Sequence, residues 1–376
     1  MPFSQLACYI TSTQATVQLR LAMSYSHTWD DSDSLSLLFA VLILETTVPT
    51  IALRESGFTR TSHRSTMNIQ YFLELYEAGY RDFVGIQLAG ADLAHHILVE
   101  VDLSRSNLKG TNLSRSFLTQ AVLVGAKGNW ANFSFAKMSE ANLAGADFTK
   151  ASFRGAFLVQ ANLHQTQLSG ADLCYVNLRN ANLCGANLCG ANLSGANLRG
   201  ANLREANLAW AHLTGVRLSG ADLDRTCLSA VNLEGAWLNG VDLSGLDLSG
   251  VNLKDAKLNG ANLDHTNLSA ANLSHTTMRG VSMVGANLCN ANLTGAVVWH
   301  GNLDEVNLSR ADLTRAHLGE ASLRSACVEG TEFTESVLPT EARSYLYAAV
   351  HGETRWTRRP AKETLDHSLF IDRLLT

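Results

Sequence analysis

From Phe83 to Leu338 every fifth residue is large and apolar: of 52 such positions 51 are Leu, Phe, Met or Val, and only Gly128 departs. Two residues before each stands a small one, Ala at 30 positions and Val, Thr, Ser or Gly at 18, leaving Arg81, Ile86, His96 and Leu246 as larger exceptions. The residue just before the large one is Asn or Asp in 30 units, and the residue two after it is Gly in 22. A helix buries residues at spacings of three and four and a half-buried strand at two, so an unbroken period of five fits neither. It predicts short extended stretches separated by corners, with the large and small side chains directed at a common axis. Small residues let the backbone approach that axis, and glycine beyond the large residue accepts the positive φ of a tight corner. Coils built this way stack at the strand spacing of about 4.8 Å, their backbone groups pairing above and below.

The four units from Ala181 to Gly200 read Ala-Asn-Leu-Cys-Gly, Ala-Asn-Leu-Cys-Gly, Ala-Asn-Leu-Ser-Gly and Ala-Asn-Leu-Arg-Gly. This run, and the register that continues it over 81–338, resembles the pentapeptide repeat family. The resemblance implies an all-β solenoid, a right-handed quadrilateral β-helix with four units per coil and short helical caps. Fifty-two units then make 52/4 = 13 coils, a rod on the order of 60 Å at the strand spacing. The motif is specific for fold and says little about function.

A stacked coil exposes an apolar ring at each end, so both ends need covering. Upstream, at 67–80, Asn68 is placed to cap a helix running to about Ala78 with Ile69, Phe72, Leu73 and Tyr76 on one face and Gly79 as its stop. Downstream, in the cap and tail of 339–376, Thr340 is placed to cap a helix over 341–350, with Ala342, Tyr345, Leu346 and Ala349 on one face. A last amphipathic stretch, Thr364 to Leu375, brings Leu365, Leu369 and Phe370 together, and the basic stretch from Arg355 to Lys362 between them is expected in solvent. The segment opening at Met67 resembles the start of cyanobacterial family members, which makes 1–66 a disordered leader or an upstream extension of the reading frame.

Composition narrows the function classes. With 17% charged residues and a net charge of −5 the chain has no overall basic charge to collect nucleic acid. Seven cysteines, an odd number with no Cys-x-x-Cys pair, read as reduced thiols in a cytoplasmic protein. The first 18 residues lack the basic and apolar regions of a secretory signal, and the longest apolar run, Leu35 to Leu44, is about half a membrane span, so no membrane association is expected. Of the 12 histidines, those within the rod fall at unlike repeat positions, and no cysteines lie twenty apart, so no metal site is expected. No phosphate-binding loop, nucleophile elbow, zinc-protease or calcium-nonapeptide motif occurs; no catalytic residue and no cofactor are assigned.

Four sides per coil put residues twenty apart in one column. The Asn/Asp position is then filled in 10, 8, 10 and only 2 of 13 coils on the four sides. The exceptional column runs Ile97, Phe117, Lys137, Phe157, Asn177, Asn197, Arg217, Trp237, Lys257, Thr277, Val297, His317 and Val337, with Arg179, Arg199, Arg279, Trp299 and His300 as outward neighbours. Between Asn177 and Gly280 this side carries Arg179, Arg199, Arg217, Lys257 and Arg279 and no acid. A corner with its own turn geometry would account for the missing Asn; so would a docking face for an anionic partner, with Trp237 and Trp299 among the cations.

The leading functional expectation is a non-enzymatic scaffold that docks a protein or an anionic macromolecule on that side, nucleic acid being a weaker candidate and end-to-end pairing of two rods a further one. The resemblance also brings in protectors of DNA topoisomerase that imitate duplex DNA, but those require an acidic rod, and residues 81–338 sum to 19 − 22 = −3. An enzyme is the third reading, and the flanks hold no motif for it. Intact-mass measurement on protein from its source tests the start: a species beginning at Met67 is expected, and one retaining Met1 overturns it.

Overall fold

The computed structural model describes residues 68–371; apart from Glu77–Gly79 these fall within one compact unit. Helix α1 (Ile69–Glu77) opens as the sequence anticipates, with the Gln70 amide donating to Asn68 Oδ1 at 3.0 Å. Its inner face carries Phe72, whose ring meets Phe83 edge-on at 4.6 Å, and Tyr76, whose hydroxyl donates to the Val99 carbonyl at 3.0 Å. Burial raises the pKa of that phenol, Arg81 and the Val99 bond opposing it. Gly79 takes a φ of +99°, which ends the helix.

From residue 82 the chain winds as a four-sided β-helix. Residues twenty apart pair in parallel, from Asp82 with Asp102 to His317 with Val337. Each side is a single extended residue between turns, held by two kinds of bond. Within a coil the amide of the small residue closes a turn onto the carbonyl three back, as in Ala186 to Leu183 at 2.9 Å; between coils the large residue's amide reaches the carbonyl nineteen ahead, as in Leu183 to Asn202 at 2.7 Å. The corner residue is left-handed whatever its type, with Gly185 at a φ of +65° and Glu205 at +59°. Glycine is preferred there because a side chain pays strain at positive φ, yet 29 non-glycine corner residues accept it.

The axis is filled by the large residues, nearly all with no exposure, and the small ones beside them. Threonines of the small set are satisfied in place: Thr111, Thr166 and Thr266 donate their hydroxyls to the carbonyls of Leu88, Leu143 and Leu243 one coil below, whereas the buried hydroxyls of Ser106 and Ser336 have no partner among the described residues. Where the large position is Gly128, the ring of Phe148 from the coil above occupies the space, edge-on to Phe133 and Phe153.

The downstream cap differs from the expectation in two respects. Strand β1 (Val337–Pro339) leads into a 3-10 turn, Thr340–Ala342, before helix α2 (Arg343–Ala349), and Thr340 makes no capping bond; Pro339 holds the chain extended and the turn, not a side chain, starts the helix. The stretch from Thr364 is not one amphipathic helix either. Helix α3 (Ala361–Asp366) ends early, and Leu369–Ile371 form strand β2, parallel to β1, with Val337 opposite Leu369. The reason is the open ladder of the last coil: Gly330 donates to His351 O, Glu335 to His367 O, and the amide of Leu369 to Ser336 O. The tail thus acts as a fourteenth, irregular coil, leaving Leu369 63% exposed. The basic stretch is tied down as well, by Arg355 to Asn290 Oδ1 and Trp356 Nε1 to Arg310 O, both at 3.1 Å. Residues 1–67, with the expected leader and Met67, lie outside the described residues.

A Cβ at residue 128 would come within 2.4 Å of two Phe148 ring atoms. Gly128→Leu should therefore destabilise the chain by about 1–3 kcal/mol, and adding Phe148→Leu should recover much of the loss. Thermal unfolding of the two single variants and the double checks this.

Candidate interaction face

Three sides of the solenoid are held by asparagine. In Asn182 and Asn202 the side-chain oxygen accepts the amide two residues on, at 3.2 and 3.1 Å, which closes the turn. The side-chain nitrogen then donates downward, Asn202 to Asn182 at 3.2 Å, and likewise Asn272 to Asn252 and Asn307 to Asn287. The later residue is the donor in these pairs, so aspartate can serve the turn but cannot donate to the residue below it in its column. As an acceptor it serves well: the amide and hydroxyl of Ser249, outweighing slight burial, hold Asp247 below the usual carboxylate range. That contribution is present above the unfolded value and fades as the pH falls through the lowered one.

The fourth side keeps the same turns, with Asn180 at a φ of +56° and Gly260 at +65°, so a turn geometry of its own does not explain its missing asparagines. Its column is one continuous ladder from Ile97 to Val337. What changes is the stacking. Lys137 Nζ lies 3.6 Å above the Phe157 ring centroid, Lys257 Nζ 3.4 Å from that of Trp237, and the Arg279 guanidinium 5.9 Å from that of Trp299, which also meets His317 at 5.3 Å. A cation on the ring one coil away replaces the asparagine amide, and such contacts contribute about 0.5–1 kcal/mol at exposed sites. The turn amides find new partners too: those of Asn259 and Arg279 donate to Asn239 Oδ1 and Asn259 Oδ1 one coil below, at 3.0 and 2.9 Å.

The structure thus gathers Arg179, Arg199, Arg217, Trp237, Lys257, Arg279 and Trp299 on one side, as the spacing anticipates, and separates them into two kinds. Trp237, Lys257, Arg279 and Trp299 are engaged with rings; Trp299 is half-buried, with its indole Nε1 buried and unbonded within the chain. Arg179, Arg199 and Arg217 are exposed. Among the described residues no ion pair involves any of the five cations, whereas Arg154 reaches Asp172 and Arg204 reaches Asp222 and Asp224 on other sides. The acid-free stretch is bounded above, where His300 Nδ1 lies 3.0 Å from Glu320. Sequence reasoning found the column but not the ring stacking, whose signal is a cation and an aromatic exactly one coil apart. Among the described residues no group of acids, histidines and cysteines is placed to hold a metal, and no helix is long and apolar enough to cross a membrane.

Comparison with known proteins places these features in context. The family model described as pentapeptide repeats matches in successive copies between residues 82 and 338. The structure of HetL, a pentapeptide repeat protein involved in heterocyst differentiation regulation from the cyanobacterium Nostoc sp. strain PCC 7120, is 31% identical, covering 70% of this chain and 96% of HetL, with a TM-score of 0.25. A pentapeptide repeat protein from the Arabidopsis thaliana thylakoid lumen is 30% identical over 35% of this chain and 89% of its own, with a TM-score of 0.24. QnrB1, a plasmid-mediated fluoroquinolone resistance protein, is 21% identical over 53% of this chain and 84% of its own, with a TM-score of 0.29. No curated protein matches the chain.

Trp237→Ala and Lys257→Ala, made singly and together, should show a favourable coupling of about 0.5–1 kcal/mol in thermal unfolding. Additive effects would mean that the pair contributes no interaction of its own.

Proposed function

This chain belongs to the pentapeptide repeat family, and we propose that it is a non-enzymatic, cytoplasmic scaffold whose fourth side docks an anionic macromolecule. A right-handed quadrilateral β-helix supplies a preorganised surface, so little conformational entropy is lost when a partner settles on it. The observation that carries the reading is the run of cations from Arg179 to Arg279 without a carboxylate partner among the described residues. Arg179 and Arg199 stand one coil apart, and unit charges at that spacing repel by up to about 1 kcal/mol in water. An anionic partner removes that repulsion. The planar guanidinium groups suit bidentate carboxylates or phosphates, and Trp237, 37% exposed beneath Lys257, supplies apolar area at the centre of the patch.

Affinity capture from source-cell lysate with the full chain tests this, run beside a variant carrying Arg199→Glu, Arg217→Glu, Lys257→Glu and Arg279→Glu and a second carrying Trp237→Ala with Arg217→Glu. A partner held by the unaltered chain, released by salt and lost at least tenfold from both variants is expected. Equal retention by all three overturns the assignment to this side.

A further inference from the structure

The ladder that joins the coils is continuous from the first coil to the twelfth except at one place. Between coil 8 (residues 221–240) and coil 9 (241–260), the amides of Leu223, Arg225, Leu228 and Ala230 do not reach the carbonyls nineteen residues on, and just before them the amide of Gly220, the last residue of coil 7, does not reach Asn239 O. In the opposite direction Asp242, Asp247 and Asn252 do not reach Ala221, Thr226 and Val231. The parallel pairings of Asp222 with Asp242 and of Cys227 with Asp247 are missing with them. The gap covers the first two sides of this interface. Asp222, Cys227, Asp242 and Asp247 are all exposed there, where the same position in most coils is half-buried.

The side chains account for it. The upper residues here, Asp242 and Asp247, carry no side-chain donor; a single such residue leaves the ladder closed, as at Asp102 over Asp82, and what sets this interface apart is two aspartates in succession with Leu246 between them. Asp242 instead stands over a second carboxylate, Asp222. Beside them Leu246 fills a slot meant for a small residue, above Thr226, and is the one large side chain there left half-exposed. The charges on the open sides pull coil 8 away from coil 9. Arg204 pairs with Asp222 and Asp224, and Arg225 with Asp224 and with Glu205, so Asp222 and Asp224 are bound within their own coil and to coil 7 below, whereas Glu234, toward the closed wall, accepts from Asn252 Nδ2 at 3.3 Å. Asp247 is bound upward, by Asn267 Nδ2 at 2.9 Å.

The other two sides keep their parallel pairings, although at the edge of the third the Asn252 amide does not reach Val231. Leu233 donates to Asn252 O at 2.8 Å and Leu238 to Lys257 O at 2.7 Å. Asn252 Nδ2 donates to Asn232 Oδ1 at 3.0 Å, and Lys257 sits on the Trp237 ring. We propose that this interface is a hinge: coils 1–8 and coils 9–13 swing about the closed wall at Asn232/Asn252 and Trp237/Lys257 by opening and closing the seam at Asp222/Asp242 and Cys227/Asp247. The inference stands on the broken ladder and not on the docking reading, although the pivot lies on the fourth side, so a partner lying along that side sets the hinge angle. A solenoid whose coils are joined all round is stiff, and leaving two sides of one interface unbonded places its flexibility at a chosen point.

Hydrogen–deuterium exchange on the full chain reads the seam directly. Amides of 220–230 should exchange at least tenfold faster than their equivalents one coil below, 200–210, under native conditions. Asp242→Asn restores the missing donor and Leu246→Ala the small slot; together they should slow exchange at 220–230 at least tenfold while leaving 200–210 unchanged. Asp222→Asn should do less, because its amide faces downward. Spin labels at His164→Cys and Val284→Cys, with the native cysteines replaced by serine, should give a broad distance distribution that narrows in the Asp242→Asn/Leu246→Ala variant. Equal protection of 220–230 and 200–210, or a distribution equally narrow with and without the two substitutions, overturns the hinge.

Discussion

The structure depends on one constraint: each backbone amide and carbonyl that the coil turns outward along its axis must meet its counterpart twenty residues away. A side one residue long has no hydrogen bonds of its own beyond the turn, so no coil is stable by itself. Stacking supplies the missing bonds and buries the large residue of each unit at the same time. Position five of every unit, left-handed throughout, and the strict alternation of large and small inner residues both follow from keeping that spacing unchanged.

Within this frame the outward residue before each large one decides how firmly two coils are joined. Asparagine does two things, closing its own turn and donating to the coil below. Aspartate does only the first. On the fourth side only Asn177 and Asn197 stand in that position, and elsewhere the cations and rings of Lys137/Phe157, Lys257/Trp237 and Arg279/Trp299 take the second role. The same substitution gives that side its charge. A structural device and a docking surface are therefore made of the same residues, which is why changing Trp237 or Lys257 alone reports on both, and why Arg179, Arg199 and Arg217, free of such contacts, are the cleaner reporters of binding.

The ends and the seam show the same constraint left unsatisfied. At the last coil the open ladder draws in the tail, and Leu369–Ile371 become a strand although their side-chain pattern suits a helix face. At the upstream end Phe72 covers the ring of Phe83. Between coils 8 and 9 the ladder stays open among the described residues, where two aspartates in succession offer no side-chain donor and Leu246 stands in a small slot.

The repeat, the four-sided coil, the buried Leu and Ala sets and the membership of the fourth column were legible in the sequence, because each is a property of a five-residue unit or of a fixed multiple of it. Asn68 as a cap was legible for the same local reason. The ring stacking on the fourth side, the tail acting as a further coil and the open interface were not. Leu246 stood out among the small residues, and Asp222, Asp242 and Asp247 looked like ordinary members of the consensus. Whether such residues bond or part depends on which group the neighbouring coil presents and in what direction it donates. Only the stacked structure brings those groups face to face.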